Sequence, residues 1–223
     1  MNIKRFDKQV ALISGGLGAM GQAIGRRLAQ EGAQVVLGDL SVGSPEQLAT
    51  AFAGLPAPLS LRLDVTDAAS WDETIRAIVL RFGRLDVLVN NAGVVTPGSH
   101  AFDDIALAEW QRVFSINVDG VFLGVQAGLR AMKASANGGA IVNMGSIAGY
   151  VGSRDSGAYG ASKSAVRNLT KQAALSAARF GYQVRVNAVH PGYVWTPLIE
   201  EKLIQQFGSR EAALQAVRGM NPL

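Results

Sequence analysis

Six short runs of aliphatic residues, separated by longer stretches of helical period, limit the fold of this chain more than any other feature. Residues 10–13, 35–37, 59–63, 85–89, 140–144 and 184–189 read as strands, several with Val, Ile or Leu at consecutive positions, as in strands covered on both faces. Between them lie helical stretches at 20–31, 45–52, 68–82, 107–135 with a break near Ser115, and 158–180. Met20, Ile24 and Leu28 recur every four residues as one buried stripe. Each crossover helix must pack back over the sheet. The alternation therefore predicts parallel strands in right-handed βαβ units, hence a doubly wound α/β sheet flanked by helices.

No repeat, low-complexity tract or polar linker divides the 223 residues, so one domain over 1–223 is expected, with about 70% of the extended chain's surface buried. The absence of cysteine excludes disulfides, thiol nucleophiles and Cys-ligated metals. With His100 and His190 as the remaining soft ligands, no metal site is expected. Charges at Lys4, Arg5, Asp7 and Lys8 stand where a signal peptide needs apolar residues, and no run approaches the roughly 18 apolar residues of a membrane span. A cytoplasmic protein is the expectation. Lys and Arg outnumber Asp and Glu by 21 to 17, but the only adjacent basic pairs are 4–5 and 26–27, so no nucleic-acid partner is expected.

The first strand runs into Ser14-Gly15-Gly16-Leu17-Gly18-Ala19-Met20-Gly21 and then a helix. Small side chains there leave the backbone N–H groups of the helix start open to a pyrophosphate, although a glycine-rich turn also serves as a plain tight connection. Eighteen residues after Gly21, at the end of the second strand, Asp39 stands near the offset at which a carboxylate accepts from an adenosine ribose. That carboxylate repels a 2′-phosphate, and neither Leu40 nor Gly18 supplies a cation, which selects NAD over NADP. Asp64 with Val65, and Asn90-Asn91-Ala92-Gly93, follow the third and fourth strands, where parallel sheets meet ligands. Asp64 as a helix cap and the asparagines as turn braces are the structural alternatives.

A hydride-transfer enzyme also needs a proton carrier, and with histidine scarce a tyrosine must be considered. Tyr159 has Lys163 four residues later in a helix-compatible stretch, which places both on one face. At about 4 Å and an effective dielectric near 20, the ammonium attracts a phenolate by roughly 4 kcal/mol, enough to lower its pKa by up to ~3 units before desolvation opposes it. Ser146 follows the fifth strand, where its hydroxyl either donates to a developing alkoxide or caps a turn. Asn117 is polar within an apolar helix, bonding backbone or holding a water that relays the proton of Lys163.

Ser14-Gly15-x3-Ala19-x-Gly21, Asn90-Asn91-Ala92-Gly93, Asn117, Ser146, Tyr159-x3-Lys163 and Pro191-Gly192, in this order over most of the chain, resemble the NAD-binding short-chain dehydrogenase/reductase family. The resemblance implies a Rossmann domain with Tyr159 as acid/base, Ser146 orienting the carbonyl, Lys163 tuning Tyr159 and binding ribose, and Asn117 supporting a relay water. It further implies cofactor contacts from Gly15, Gly18 and Met20, from Asp39 and Leu40, and from Asp64 and Val65. Asn91, Ala92 and Gly93, then Tyr159 and Lys163, then Pro191, Gly192, Val194 and Thr196, complete that set. Residues 173–176, 181–187 and 190–192 are similar to bacterial hydroxysteroid and cyclic-alcohol dehydrogenases of the family.

Two departures stand out. The family's middle glycine is Ala19, and the sequence stops at Leu223, where relatives usually continue through a last helix and a seventh strand, so either the sequence is incomplete or the sheet has six strands. The resemblance also implies a homodimer or homotetramer through the helices after Leu107 and around Tyr159. A lid at about 191–220 carries Tyr193, Val194, Trp195, Leu198 and Ile199 toward Val94, Val95, Pro97, Tyr150 and Val151. Those side chains form an apolar pocket for a neutral secondary alcohol or ketone, or simply pack. Lys202, beside Glu200 and Glu201, is the lid's one cation considered for clamping an anion. A 3-oxoacyl-carrier-protein reductase, disfavoured by Asp39, and a catalytically silent dinucleotide-binding scaffold are the competing readings.

Overall fold

The computed structural model describes residues 4–95, 101–134, 138–152 and 157–220, apart from the side chains of Leu198, Lys202 and Met220. Pro97, His100 and the chain end at 221–223 lie outside the described residues. The elements run β1 (Val10–Ser14), α1 (Ala19–Gln30), β2 (Gln34–Asp39), α2 (Pro45–Ala51), β3 (Leu59–Arg62), α3 (Ala68–Phe82) and β4 (Val87–Asn90). They continue with α4 (Leu107–Phe114), α5 (Gly120–Ala134), β5 (Gly139–Met144), α6 (Gly157–Arg179), β6 (Val184–Val189), α7 (Pro197–Phe207) and α8 (Arg210–Met220).

The six strands form one parallel sheet in the order β3-β2-β1-β4-β5-β6, the doubly wound arrangement that the alternation predicts. One face packs Leu12, Val36, Leu88 and Ile141 against Trp71 and Ile78 of α3, Val121 and Val125 of α5, and Val166 of α6. The other packs Ile13, Val35 and Leu37 against Ile24 and Leu28 of α1 and Phe52 beyond α2. Trp71 and Phe52 are each 1% exposed, and burial of an aromatic of this kind contributes about 2–3 kcal/mol.

The expected break near Ser115 is a widened turn. Residues Ser115–Asp119 form a π-helical turn between α4 and α5, a feature that frequently marks functional positions. The region expected only as a lid contains two helices. Thr196 caps α7 with its hydroxyl, Pro197 occupies the first turn, and Gly208 ends it at φ 82°. α7 and α8 pack on each other through buried Leu203 and Ala213. No helix among the described residues is long and apolar enough to cross a membrane.

Candidate active site

The break in strand order between β1 and β4 opens a crevice at the carboxyl ends of the sheet, and the glycine turn lies there. Gly15 has φ 60°, and a Cβ on it would lie 2.8 Å from the Cα of Ala92. A Cβ on Gly21 would lie 2.3 Å from the Gly15 carbonyl, so the turn closes only with glycine at both positions. Gly18 is exposed and begins α1 with no side chain capping the helix N–H groups, and Ala19 beside it is exposed as well. The methyl of Ala19 therefore does not crowd the helix start. Asn91 takes its structural alternative, its Nδ2 donating to the carbonyls of Ser14 and Gly15 at 3.0 Å each.

Asp39 closes the other side of the turn. Its carboxylate accepts from the N–H of Leu17 at 3.0 Å and from that of Leu40 at 2.8 Å, which leaves acceptor capacity on both oxygens. Asp64 does not cap α3; that is done by Asp67, which accepts from the N–H of Ala69. Asp64 instead accepts from the N–H and hydroxyl of Thr66, bonds that hold its carboxyl below the usual range.

Ser146, Tyr159 and Lys163 converge at the end of β5. The Ser146 Oγ accepts from the N–H of Ala148 at 3.1 Å, so it caps a 3-10 turn, and its hydroxyl is also hydrogen-bonded to the phenol of Tyr159. Lys163 is 4% exposed, and its Nζ donates to the Met144 carbonyl at 2.7 Å while standing 5.6 Å from the centroid of the Tyr159 ring. The electrostatics differ from the sequence expectation. Burial raises the phenol above its ordinary value, the bond with Ser146 lowers it, and burial lowers Lys163 to about 8. Lys163 is tethered to β5, and desolvation opposes the expected downward pull on Tyr159.

Asn117 is fully buried in the π-helical turn. Its Oδ1 accepts from the N–H of Val94 at 2.8 Å, and its Nδ2 donates to the Val94 carbonyl at 2.9 Å and to the Ser162 hydroxyl at 3.0 Å. Both amide hydrogens are spent on protein partners, which is the backbone-bonding alternative. Gly93 lies over this junction: a Cβ on it would meet Asn117 Oδ1 at 3.2 Å and Lys163 Nζ at 3.6 Å. Two participants escaped the sequence reading. Ser162, fully buried, also donates to the carbonyl of Tyr159 at 2.7 Å, and His190 has its Nδ1 3.2 Å from the carbonyl of Ser146. Ser162 directly precedes Lys163, which was the available signal.

On the lid side, the Pro191 carbonyl accepts from the N–H of Ile147, Gly192 and Val194 are exposed, and Thr196 is spent on capping α7. Trp195 lies under the guanidinium of Arg210, which is paired with Glu200. A cavity of about 710 Å³ lies beside the Ser146 turn, lined by Tyr150 and Val151 from the expected substrate face, and by Phe102, Ile105 and the outer side of α6. Tyr193, Val194 and Trp195 are outside this lining.

The model of the short chain dehydrogenase family matches residues 9–206. The NADP-dependent (R)-specific alcohol dehydrogenase of Lentilactobacillus kefiri is 39% identical over 197 residues, 88% of this chain and 77% of that protein. The trans-4-hydroxycyclohexanecarboxylate dehydrogenase of Sinomonas cyclohexanicum is 44% identical over 201 residues, covering 87% and 75%. The 3-alpha-(or 20-beta)-hydroxysteroid dehydrogenase of Mycobacterium bovis is 43% identical over 196 residues, covering 88% and 73%. Among solved structures, levodione reductase superposes with a TM-score of 0.84 at 35% identity, covering 96% of this chain and 83% of its own. With a family match over the whole sheet, and relatives that are named dehydrogenases along most of their own lengths, the chain belongs to the short-chain dehydrogenase family and is an oxidoreductase acting on CH–OH groups.

Proposed function

We propose that this chain is an NAD-dependent dehydrogenase that interconverts a neutral, hydrophobic secondary alcohol, cyclic or steroidal, with its ketone, using Tyr159 as acid and base. The observation that carries this reading is the convergence of Ser146, Tyr159 and Lys163 at the end of β5, with the buried Lys163 Nζ anchored to the Met144 carbonyl and 5.6 Å from the centroid of the Tyr159 ring. The activities for which the Sinomonas and Mycobacterium relatives are named support the cyclic and steroidal alcohols.

The residues around the crevice fit a dinucleotide. The uncapped start of α1 offers N–H donors, and Asp39 retains lone pairs for two ribose hydroxyls. Gly15, Gly18 and Met20 are assigned to the pyrophosphate side, Asp39 and Leu40 to the ribose, and Asp64, Val65, Asn91, Ala92 and Gly93 to the floor between them. Tyr159, Lys163, Pro191, Gly192, Val194 and Thr196 are assigned to the nicotinamide side. The negative charge of Asp39 is the reason for NAD, in contrast to the NADP-dependent relative.

When bound, the nicotinamide supplies a hydride acceptor for oxidation and a donor for reduction. Tyr159 accepts the hydroxyl proton as the carbinol carbon loses its hydride, and returns it to the ketone oxygen in the reverse direction. Ser146 donates to the substrate oxygen where charge develops. Lys163 keeps a positive charge beneath the phenol at neutral pH, and Asn117 fixes the segment from Gly93 to Val94 over it.

The chain acts as one dinucleotide-binding and catalytic domain, with residues 191–220 as its substrate lid. A homodimer or homotetramer through α5 and α6 is supported by exposed Phe122 and Leu175 on those helices. The test is NADH formation with a panel of cyclic alcohols and hydroxysteroids. Tyr159→Phe is expected to lose about 100-fold or more in turnover. Turnover of that variant at the parent rate would overturn the assignment of the proton carrier.

A further inference from the structure

We propose that His190 is a positioning residue for Ser146, holding the peptide group that aims the Ser146 hydroxyl at Tyr159. The inference rests on the roles of Ser146 and Tyr159 given under the proposed function. His190 directly follows β6 as Gly145 and Ser146 follow β5, and the register pairs Met144 with Val189, so the two strand exits run side by side. The N–H of Gly145 donates to the Val189 carbonyl at 2.8 Å, and that of Ile147 to the Pro191 carbonyl at 3.0 Å.

The His190 ring fills the space between these two bonds. A Cβ on Gly145 would come within 2.4 Å of Nδ1, so the ring lies directly on that backbone. Nδ1 is 3.2 Å from the Ser146 carbonyl. A carbonyl only accepts, so Nδ1 carries the hydrogen in either charge state of the imidazole. The Ser146–Ile147 peptide group is thereby held at both poles, its N–H by Pro191 and its C=O by His190 together with the N–H of Gly149, which donates to the same oxygen at 3.0 Å. With ψ of Ser146 held this way, the Oγ stays under the N–H of Ala148 and its single hydrogen is left for Tyr159 in the free enzyme and for the substrate oxygen once substrate is bound.

The ring is in turn clamped from the helix that carries the proton carrier. Tyr150 meets it edge-on, with centroids 4.8 Å apart at 76°, and the guanidinium of Arg167 stands 4.4 Å from the Tyr150 centroid. Arg167 is one turn beyond Lys163 on α6, and Ser164 donates to the Gly149 carbonyl at 3.1 Å. Contacts from Ser146 through His190, Tyr150 and Arg167 thus return to α6, so the hydroxyl and the phenol share one frame.

The test measures kcat, KM, the NAD dissociation constant and Tm for His190→Leu, His190→Asn, Ser146→Ala and the Leu/Ala double variant, with an alcohol from the panel that the parent oxidises. Leu removes the donor; Asn places an N–H close to the position of Nδ1. Misplacement of a reacting group by about 1 Å costs up to 100-fold, so His190→Leu is expected to lower kcat by about 10- to 100-fold, with NAD affinity unchanged and His190→Asn near the parent. Added to Ser146→Ala, His190→Leu is expected to cost less than about twofold, because both changes act on one hydroxyl. As a readout without turnover, the ionisation of Tyr159, taken as the tyrosinate absorbance difference from Tyr159→Phe, is expected to move to higher pH in His190→Leu as in Ser146→Ala. Parent-like kcat and titration in His190→Leu, or its full cost retained on Ser146→Ala, overturn the inference while leaving the proposed function intact. A parent-like Ser146→Ala overturns the role of Ser146 itself and this inference with it.

Discussion

The Nζ of Lys163 donates to the Met144 carbonyl at 2.7 Å, so the cation nearest the candidate proton carrier is anchored to the last residue of β5. The charge is held where solvent does not reach it, 4% exposed, with one backbone oxygen as its hydrogen-bond acceptor among the described residues. The site keeps a desolvated ammonium beside a desolvated phenol, and the folded state bears the cost.

That cost has a pH signature. Lys163 is lowered from 10.5 to about 8 by burial, so between those values the unfolded chain holds a proton that the folded chain lacks. Stability is therefore highest above the unfolded value, falls as pH is lowered from about 10.5 to about 8, and stays lowered below that, a change on the order of 3 kcal/mol. Lys163→Met removes the titrating group. Urea denaturation across this window is expected to show the parent gaining stability toward high pH relative to the variant; parallel curves would count against a buried, desolvated lysine.

Most of the frame is legible in the sequence because it rests on local periodicity. The consecutive aliphatics of β1 and β2 are strands buried on both faces in parallel pairing, β6 at the sheet edge alternates buried with exposed residues, and the Gly15 to Gly21 spacing follows from backbone contacts under 3 Å. The long-range electrostatics were not legible. The i, i+4 spacing of Tyr159 and Lys163 correctly puts them on one helix face, but the partner of the ammonium, Met144, comes from a strand nineteen residues earlier. The same is true of Asn117, whose amide is consumed by Val94 and Ser162, and of His190, which reaches Ser146 only because β5 and β6 pair. Helix α7 carries ordinary start and stop signals in the sequence, Thr196-Pro197 and Gly208.

Asp39 decides the coenzyme in this reading, and the sheet places a counterweight beside it. In the β2–β3 register Asp39 pairs with Arg62, which is exposed on the adjacent strand. Asp39→Ser removes the like charge that a 2′-phosphate meets, a juxtaposition worth several kcal/mol, and leaves Arg62 as an available cation. The ratio of kcat/KM for NADP over NAD is expected to rise by at least about tenfold, and Asp39→Ser/Arg62→Ala to lose part of that gain. An unchanged ratio in Asp39→Ser would remove Asp39 from the specificity argument.

Two glycines of the same turn are expected to behave oppositely. On Gly21 a methyl would sit 2.3 Å from the Gly15 carbonyl and 2.8 Å from the Cα of Gly16, whereas on Gly18 it would find one atom, at 3.3 Å. Gly21→Ala must push α1 away from β1 and is expected to cost about 1–3 kcal/mol, while Gly18→Ala stays within about 0.5 kcal/mol. Thermal unfolding of the two variants measures the difference directly. Equal losses would mean that the turn is looser than these contacts require.

The last prediction concerns what holds α6 against the sheet beneath Tyr159 and Lys163. Asn143 is fully buried on β5; it accepts from Nδ2 of Asn90 on β4 at 2.8 Å and donates to the hydroxyl of Thr170 on α6 at 2.9 Å. Thr170 passes its own hydrogen to the Val166 carbonyl at 2.8 Å, so two strands and the helix are joined by one polar chain inside an apolar core. Among the described residues the Asn90 side chain depends on Asn143, because its buried Oδ1 has no partner there. Asn143→Ala therefore strands the Asn90 amide and half-empties the Thr170 oxygen, and each buried unsatisfied group costs about 1–3 kcal/mol, for a combined loss of about 2–4 kcal/mol in stability. Asn90→Ala in the same background is expected to restore part of the loss, because it removes the stranded amide, whereas two contributions from packing alone would simply add. Urea denaturation of the two single variants and the double variant decides between these outcomes.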